Sequence, residues 1–149
     1  MAKQLRINDP AAGPWIMSRL DSVFSPDRAV TIANFDGDQV LGGFVLENYT
    51  GASMLVHMAG SGPGWCSREL LAVTFDYAFN QVGVTCLLAP VSSGNAAAMS
   101  QDLRGGFRVA ARVPDIYPDG DLVLLQMRRE DCRWLRLRLR EHVSNRRVA

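Results

Sequence analysis

The chain has 149 residues, of which 48% are hydrophobic, and a formal net charge of +1. That length suits one domain able to bury on the order of two-thirds of its unfolded surface, and the near-neutral balance leaves no global field to select nucleic acid or a membrane as partner. Three cysteines without a CxxC (Cys66, Cys86, Cys132) and two distant histidines (His57, His142) argue against a disulfide framework and a structural zinc site.

Residues 1–9 read as a short strand. Pro10 precedes a helix whose first turn suits Pro14. Trp15, Ile16, Leu20, Val23 and Phe24 form its apolar face, and Ser25-Pro26 ends it. Ala29 to Phe35, Val40 to Tyr49 and Ala52 to Ala59 are three strands. The turn residues Asp36-Gly37-Asp38 and Asn48 to Gly51 join them into an antiparallel meander.

The stretch from Met54 to Val82 then combines an apolar strand, a turn with Gly60, Gly62 and Gly64, and an amphipathic helix. Leu71, Phe75, Ala78, Phe79 and Val82 recur at helical spacing, with Ser67 as the N-cap. Glycines let the backbone approach a ligand closely, and the first amides of a helix have no internal partner and sit at its positive end. The unit is therefore a candidate phosphate cradle, although many such turns are only tight connections. Its position after a meander argues against a dinucleotide fold, and the missing lysine after the glycines excludes a P-loop.

Val84 to Val91 is the next strand, Ser92 to Asn95 a polar break, and Asn95 to Leu103 a short helix ending at Gly105-Gly106. Phe107 to Val113 and Asp121 to Met127 are the arms of a hairpin joined by the loop Pro114 to Gly120. The segment Glu130 to Val143 fits a helix through Cys132, Leu135, Leu139 and Val143, while Leu135, Leu137 and Leu139 also alternate at strand period. The fold class is thus α/β, a mostly antiparallel mixed sheet with one strand–loop–helix–strand crossover. Residues 1–149 form a single domain with an arginine-rich extension at 130–149. Eight arginines lie between Arg128 and Arg147, whereas Lys3 is the chain's one lysine. That tail is either a solvated surface, a contact for nucleic acid or acidic partners, or an interface in a homodimer. The opening MAKQLRINDP has no apolar leader core, and no stretch approaches the roughly 18 apolar residues of a membrane span. A reduced, cytoplasmic protein is expected.

Over residues 15–128 the chain resembles the GNAT superfamily of acetyl-CoA-dependent N-acetyltransferases. The strand–Gly60-Ser61-Gly62-Pro63-Gly64–helix unit carries the resemblance, together with Ser93-Gly94-Asn95-Ala96-Ala97-Ala98 leading to Gly105-Gly106-Phe107. The phrases FDYAFNQVGV and PDIYPDGDLVLLQMRREDCRWL also look like a small subgroup of that superfamily common in phages and prophages. The resemblance implies a sheet splayed between its fourth and fifth strands with acetyl-CoA in the gap. The amides of Gly60, Gly62 and Gly64, with Ser67 and Arg68 at the helix start, would hold the pyrophosphate. The backbone of His57, Met58 and Ala59 would pair with the pantetheine, which Asn95 would flank. Trp65 would shield the phosphates or anchor the helix to the sheet.

Two departures stand out. Ala59 occupies the position of the family's leading basic residue, for which Arg68 would substitute from the first turn of the helix, and Asp102 stands where a thiolate-protonating tyrosine is common. Asp102 itself reads as a helix-surface residue. His57 has a pKa suited to a general base, and Glu47, sharing a strand face with Tyr49, would relay protons through water. Tyr117 is a loop residue that could line an acceptor site. Cys66 lies near a helix N-terminus, where a thiol pKa drops, but without a paired base it does not support nucleophilic catalysis. The expectation is direct acetyl transfer from acetyl-CoA to a primary amine. The alternatives are a GNAT-fold acyl-CoA-binding or regulatory module with reduced catalysis, motivated by Ala59 and Asp102, and a nucleic-acid-modifying relative, motivated by the arginine-rich tail.

Overall fold

The computed structural model describes residues 3–136. Its seven strands are β1 (Lys3–Ile7), β2 (Ala29–Asp36), β3 (Gln39–Glu47), β4 (Ser53–Gly60), β5 (Cys86–Ser92), β6 (Arg108–Tyr117) and β7 (Gly120–Arg128). They form one sheet in the order β1-β2-β3-β4-β5-β7-β6. Every neighbouring pair is antiparallel except β4–β5, which is parallel because a helical crossover joins them. The helices are α1 (Ala12–Ser18), α2 (Arg68–Asp76) and α3 (Ala96–Gly105). Among the described residues no helix is long and apolar enough to cross a membrane.

Strand alternation sorts the core into two layers. Ala33, Phe35 and Val45 face α1, where they meet Ala12, Ile16 and Met17. Ile32, Phe44, Leu46, Val56 and Leu87 face α2, where they meet Leu70, Phe75 and Phe79. Each fully buried phenylalanine among these stabilises the fold by about 1.5–3 kcal/mol. Beyond Asp76 the helix widens into a π turn over Tyr77–Val82, and Gly83, in the left-handed region, ends it.

Four elements differ from the sequence expectation. First, α1 stops at Ser18 instead of reaching Phe24. Asp21 turns the chain at φ +52°, and the Phe24 ring lies over Gly13, so residues 19–25 fold back as a wall beside α1. Second, β3 ends at Glu47, which leaves Tyr49 exposed in the turn rather than on the Glu47 face. Third, the final hairpin extends to Tyr117 and Gly120, so most of the expected loop is strand of irregular register. Finally, the segment after β7 forms two separate 3₁₀ turns, Arg129–Asp131 and Arg133–Arg136, broken at buried Cys132. Long-range bonds override local helix propensity there. Arg129 Nη1 donates to the Phe79 carbonyl at 2.5 Å, Arg133 Nη2 to the Arg104 carbonyl at 2.6 Å, and Trp134 Nε1 to the Gly105 carbonyl at 2.9 Å. The remainder of the expected helix, with most of the 130–149 extension, lies outside the described residues.

Trp65 is buried in the α2-side core, 6.0 Å from the Phe44 ring centroid. Its indole lies directly on the backbone of β3 and β4, because Gly42 and Gly60 leave room for it: a Cβ on Gly42 would come within 2.6 Å of the ring, and one on Gly60 closer still. Gly60→Ala is therefore expected to displace the indole and lower stability by about 1–3 kcal/mol. A urea-unfolding midpoint unchanged by that substitution would contradict the packing described.

Candidate active site

The β4–β5 ladder is short. Ser53, Met54 and Leu55 pair with Cys86, Leu87 and Leu88, and the strands then part. Pro90, two residues past the last pair, has no N–H to offer β4. On its other side β4 stays paired with β3 as far as Gly60. The β5-facing backbone groups of β4 beyond Leu55 thus have no ladder partner among the described residues, and buried groups of that kind require one.

Two cavities open at this gap. One, of about 300 Å³ on the α2 face, lies between α2 and α3 and is lined by Cys66, Leu71, Phe75, Gln101, Arg104 and Trp134, among others. The second, of about 610 Å³, reaches the α1 face at the folded-back residues Arg19 to Ser22 and the hairpin tip at Tyr117 to Asp119, and through the gap it also touches Val56, Ala89 and Ala98 of the α2-side core. Met58 lines both, so the gap makes a passage through the sheet.

The glycine turn stands at the α2 end. Gly62 and Gly64 adopt φ +72° and +82°, which glycine tolerates without strain, and their amides have no acceptor among the described residues. Asn34, buried on β2, holds the loop in place. Its Nδ2 donates to the Trp65 carbonyl at 2.9 Å and to Ser67 Oγ at 3.1 Å. Ser67 Oγ in turn accepts the Leu70 amide as the N-cap of α2. Arg68 is exposed at the first helical position. A second cation comes from the far edge of the sheet, where Lys3 Nζ donates to the Gly64 carbonyl. Backbone donors with two nearby cations suit a phosphate.

His57 lines the α1-side cavity, and its Nε2 lies 2.8 Å from Glu47 Oε2. Burial lowers the imidazole pKa, against the opposing pull of the Glu47 carboxylate. The ring is therefore neutral at pH 7. Glu47 fixes the proton on Nε2 and leaves Nδ1 as the acceptor. Asn95 Oδ1 caps α3 through the Ala98 amide at 3.1 Å while bordering the same cavity.

The structure corrects two expectations about reactive groups. The helix N-terminus does not lower the Cys66 pKa: burial outweighs nearby Lys3 and pushes it up to about 11. Asp102 is not a surface residue. It is 4% exposed, lines the α1-side cavity, and burial pushes its carboxyl up to about 7.

The residues named from sequence thus gather around one passage. His57, Met58, Ala59 and Gly60 lie along β4, and Gly62, Gly64, Trp65, Ser67 and Arg68 lie along the loop. The side chains of Trp65 and Ser67 are engaged in packing and capping, so the loop presents backbone. Asn34 and Lys3 were missed, and Asp102 was read as a surface residue. Only the polar character of Asn34 within an apolar strand hinted at a specific bond.

No family model and no curated protein matches the chain in sequence. Solved structures do match in shape. The spermidine N-acetyltransferase SpeG of Vibrio cholerae, as a point mutant, superposes with a TM-score of 0.67 at 15% identity, over 89% of this chain and 96% of that one. An IAA acetyltransferase of Bacillus cereus gives 0.69 at 15% identity, over 85% and 99%. The structure of yncA from Salmonella typhimurium with its cofactor acetyl-CoA gives 0.64 at 19% identity, over 86% and 94%. The chain has the GNAT acyl-CoA N-acyltransferase fold.

A carboxyl whose folded pKa is raised is increasingly destabilising as pH rises from its unfolded value of 3.8 to about 7, because only the unfolded chain ionises freely in that window. Asp102 should thus contribute a loss of about 4 kcal/mol between acid and alkaline pH. Chemical denaturation of wild type and Asp102→Asn across that range checks this. The wild type should lose more stability than the variant on going from acid to alkaline pH, and parallel curves would refute the burial effect.

Proposed function

We propose that the protein is an acyl-CoA-dependent N-acyltransferase that moves an acetyl group from acetyl-CoA to a primary amine by direct attack. The single observation that carries the proposal is the break in the β4–β5 ladder, which joins two cavities at Met58. Acetyl-CoA supplies a thioester whose carbonyl carbon accepts the amine while the thiol departs.

The chain's own groups have separable tasks in this scheme. The amides of Gly62 and Gly64, with Arg68 and Lys3 beside them, hold the pyrophosphate at the α2 face. The unpaired edge of β4 around His57, Met58 and Ala59 takes the pantetheine amides as it would take another strand. Asn95 and the start of α3 border that arm. On the α1 face, His57 accepts the amine proton at Nδ1, and Glu47 stabilises the imidazolium that results. Holding amine and thioester together makes the attack effectively intramolecular. The chemistry fits a cytoplasmic protein. Spermidine, named for one structural neighbour, is a reasonable first acceptor to assay.

Calorimetric titration with acetyl-CoA and with CoA, followed by transfer assays on a panel of primary amines, tests the proposal. Binding should be micromolar and should be lost when Gly62→Val and Gly64→Val are combined, because valine resists those positive φ angles. His57→Gln should leave binding in place and reduce turnover by about 10²-fold or more. In the wild type, the acidic limb of the rate profile should fall below the ordinary histidine value of 6.5, the direction in which burial moves His57. Absence of binding would end the proposal. Binding without transfer to any amine would favour the acyl-CoA-binding module instead.

A further inference from the structure

The smaller cavity, of about 300 Å³, is walled by the side chains of Met58, Cys66, Leu71, Phe75, Phe107 and Trp134. Close-packed interiors leave few voids larger than a water molecule, so packing alone does not explain an apolar space of this size. Burial holds the Cys66 thiol in its neutral form, with its pKa up to about 11. Gln101 adds an amide to the lining, and Arg104 and Arg133 add two cations. Both arginines are exposed and donate to backbone carbonyls, Arg104 to that of Ser100 and Arg133 to that of Arg104. The rest of the wall is apolar.

This cavity is separate from the route assigned above to the pantetheine. That route follows the unpaired edge of β4 and the start of α3 at Asn95. The cavity instead extends behind β4, where Phe44 of β3 pairs with Met58. It also lies at the opposite end of α3, where Gln101, Arg104 and Gly105 line it across from Leu71 and Phe75 of α2. The turn after β7 closes it there, because Trp134 Nε1 donates to the Gly105 carbonyl at 2.9 Å. Met58 lines both this cavity and the larger one. The smaller cavity is thus a side pocket that branches from the gap at Met58.

Resting on the acyltransfer reading above, we infer that this side pocket binds the acyl group of the donor. The protein then accepts, besides acetyl-CoA, saturated acyl-CoA thioesters whose chains have about six to ten carbons. An apolar cavity of about 150 Å³ admits the six carbons of benzene, which sets that range for a space about twice as large. A two-carbon group leaves the pocket unfilled. A longer chain passes Met58, whose unbranched side chain adapts to a neighbour, and covers the apolar wall. Transfer of the longer group balances as for acetyl. The amine nitrogen bonds to the acyl carbon, the C–S bond breaks with its electron pair on sulfur, and the proton lost by the amine goes to His57 Nδ1.

Calorimetric titration of the wild type with CoA, acetyl-CoA, hexanoyl-CoA and octanoyl-CoA tests the pocket without requiring turnover. Burying one methylene favours binding about fourfold. Octanoyl-CoA should therefore bind about 10- to 100-fold more tightly than acetyl-CoA, with a more negative heat-capacity change. Gly105 lines the pocket, and a Cβ there would meet nothing within 4 Å, so Gly105→Leu can take up the space without a clash. Leu71→Trp fills it from α2. Both variants should keep the wild-type affinity for acetyl-CoA, which reports that they fold, and should bind octanoyl-CoA no more tightly than acetyl-CoA. A wild type that binds acetyl-CoA but gains nothing from the longer chains would overturn the inference. A gain that survives in a variant still able to bind acetyl-CoA would do the same, since the chain would then lie elsewhere. If one variant loses acetyl-CoA binding, the wild-type series and the other variant decide. These outcomes leave the acyltransfer reading intact, whereas a wild type that binds none of the four would remove that reading and this inference with it.

Discussion

The β4–β5 pairing is the constraint on which the rest of the structure depends. Three residues of parallel ladder, with the core on the α2 face, join the two halves of the sheet, β1 to β4 and β5 to β6. Further pairing would close the passage. Covering helices cannot satisfy the backbone groups left on β4, because their own backbone groups are bonded internally, so the gap asks for an extended ligand with amides of its own. Pro90, although in register with Leu124 of β7, has no N–H to give to further pairing with β4.

The glycine loop shows a second consequence of small residues in the right places. Gly42 and Gly60 admit the Trp65 indole onto the sheet, which fixes the loop from below, and Asn34 fixes it from the side. With both anchors in place, Gly62 and Gly64 are left to shape the exposed backbone. The aromatic ring beside the cradle thus acts through rigidity. A loop that already holds its amides in place loses less entropy when an anion arrives.

Local signals made much of this fold legible in sequence. The Asp36-Gly37-Asp38 turn, the Ser67 cap and the glycine turn each depend on residues within a few positions of one another, and each is present in the structure. The failures have a common physical origin in distance along the chain. Lys3 reaches a carbonyl 61 residues away, and Arg129, Arg133 and Trp134 hold the final turns to elements 29 to 50 residues earlier. Cys66 was misjudged because a helix terminus is visible in sequence and burial is not. Asp102 was misjudged for a related reason. In the run Ala96-Ala97-Ala98-Met99-Ser100-Gln101-Asp102 an aspartate looks like the solvent side of a short helix, and only packing against β5 reveals that it faces inward.

The site's two titrating side chains illustrate what such burial does. Both His57 and Asp102 are desolvated, and desolvation favours the neutral form of each: the imidazole loses its proton and the carboxyl keeps one. One environment thus biases both side chains toward their neutral forms. Glu47 moderates the effect on His57, whereas nothing moderates it on Asp102. The asymmetry is costly to folding, because a neutral side chain of similar shape in place of Asp102 would spare the chain an ionisation penalty at neutral pH. A buried acid whose Oδ1 has no partner, held on a rigid helix end, is difficult to account for by stability alone.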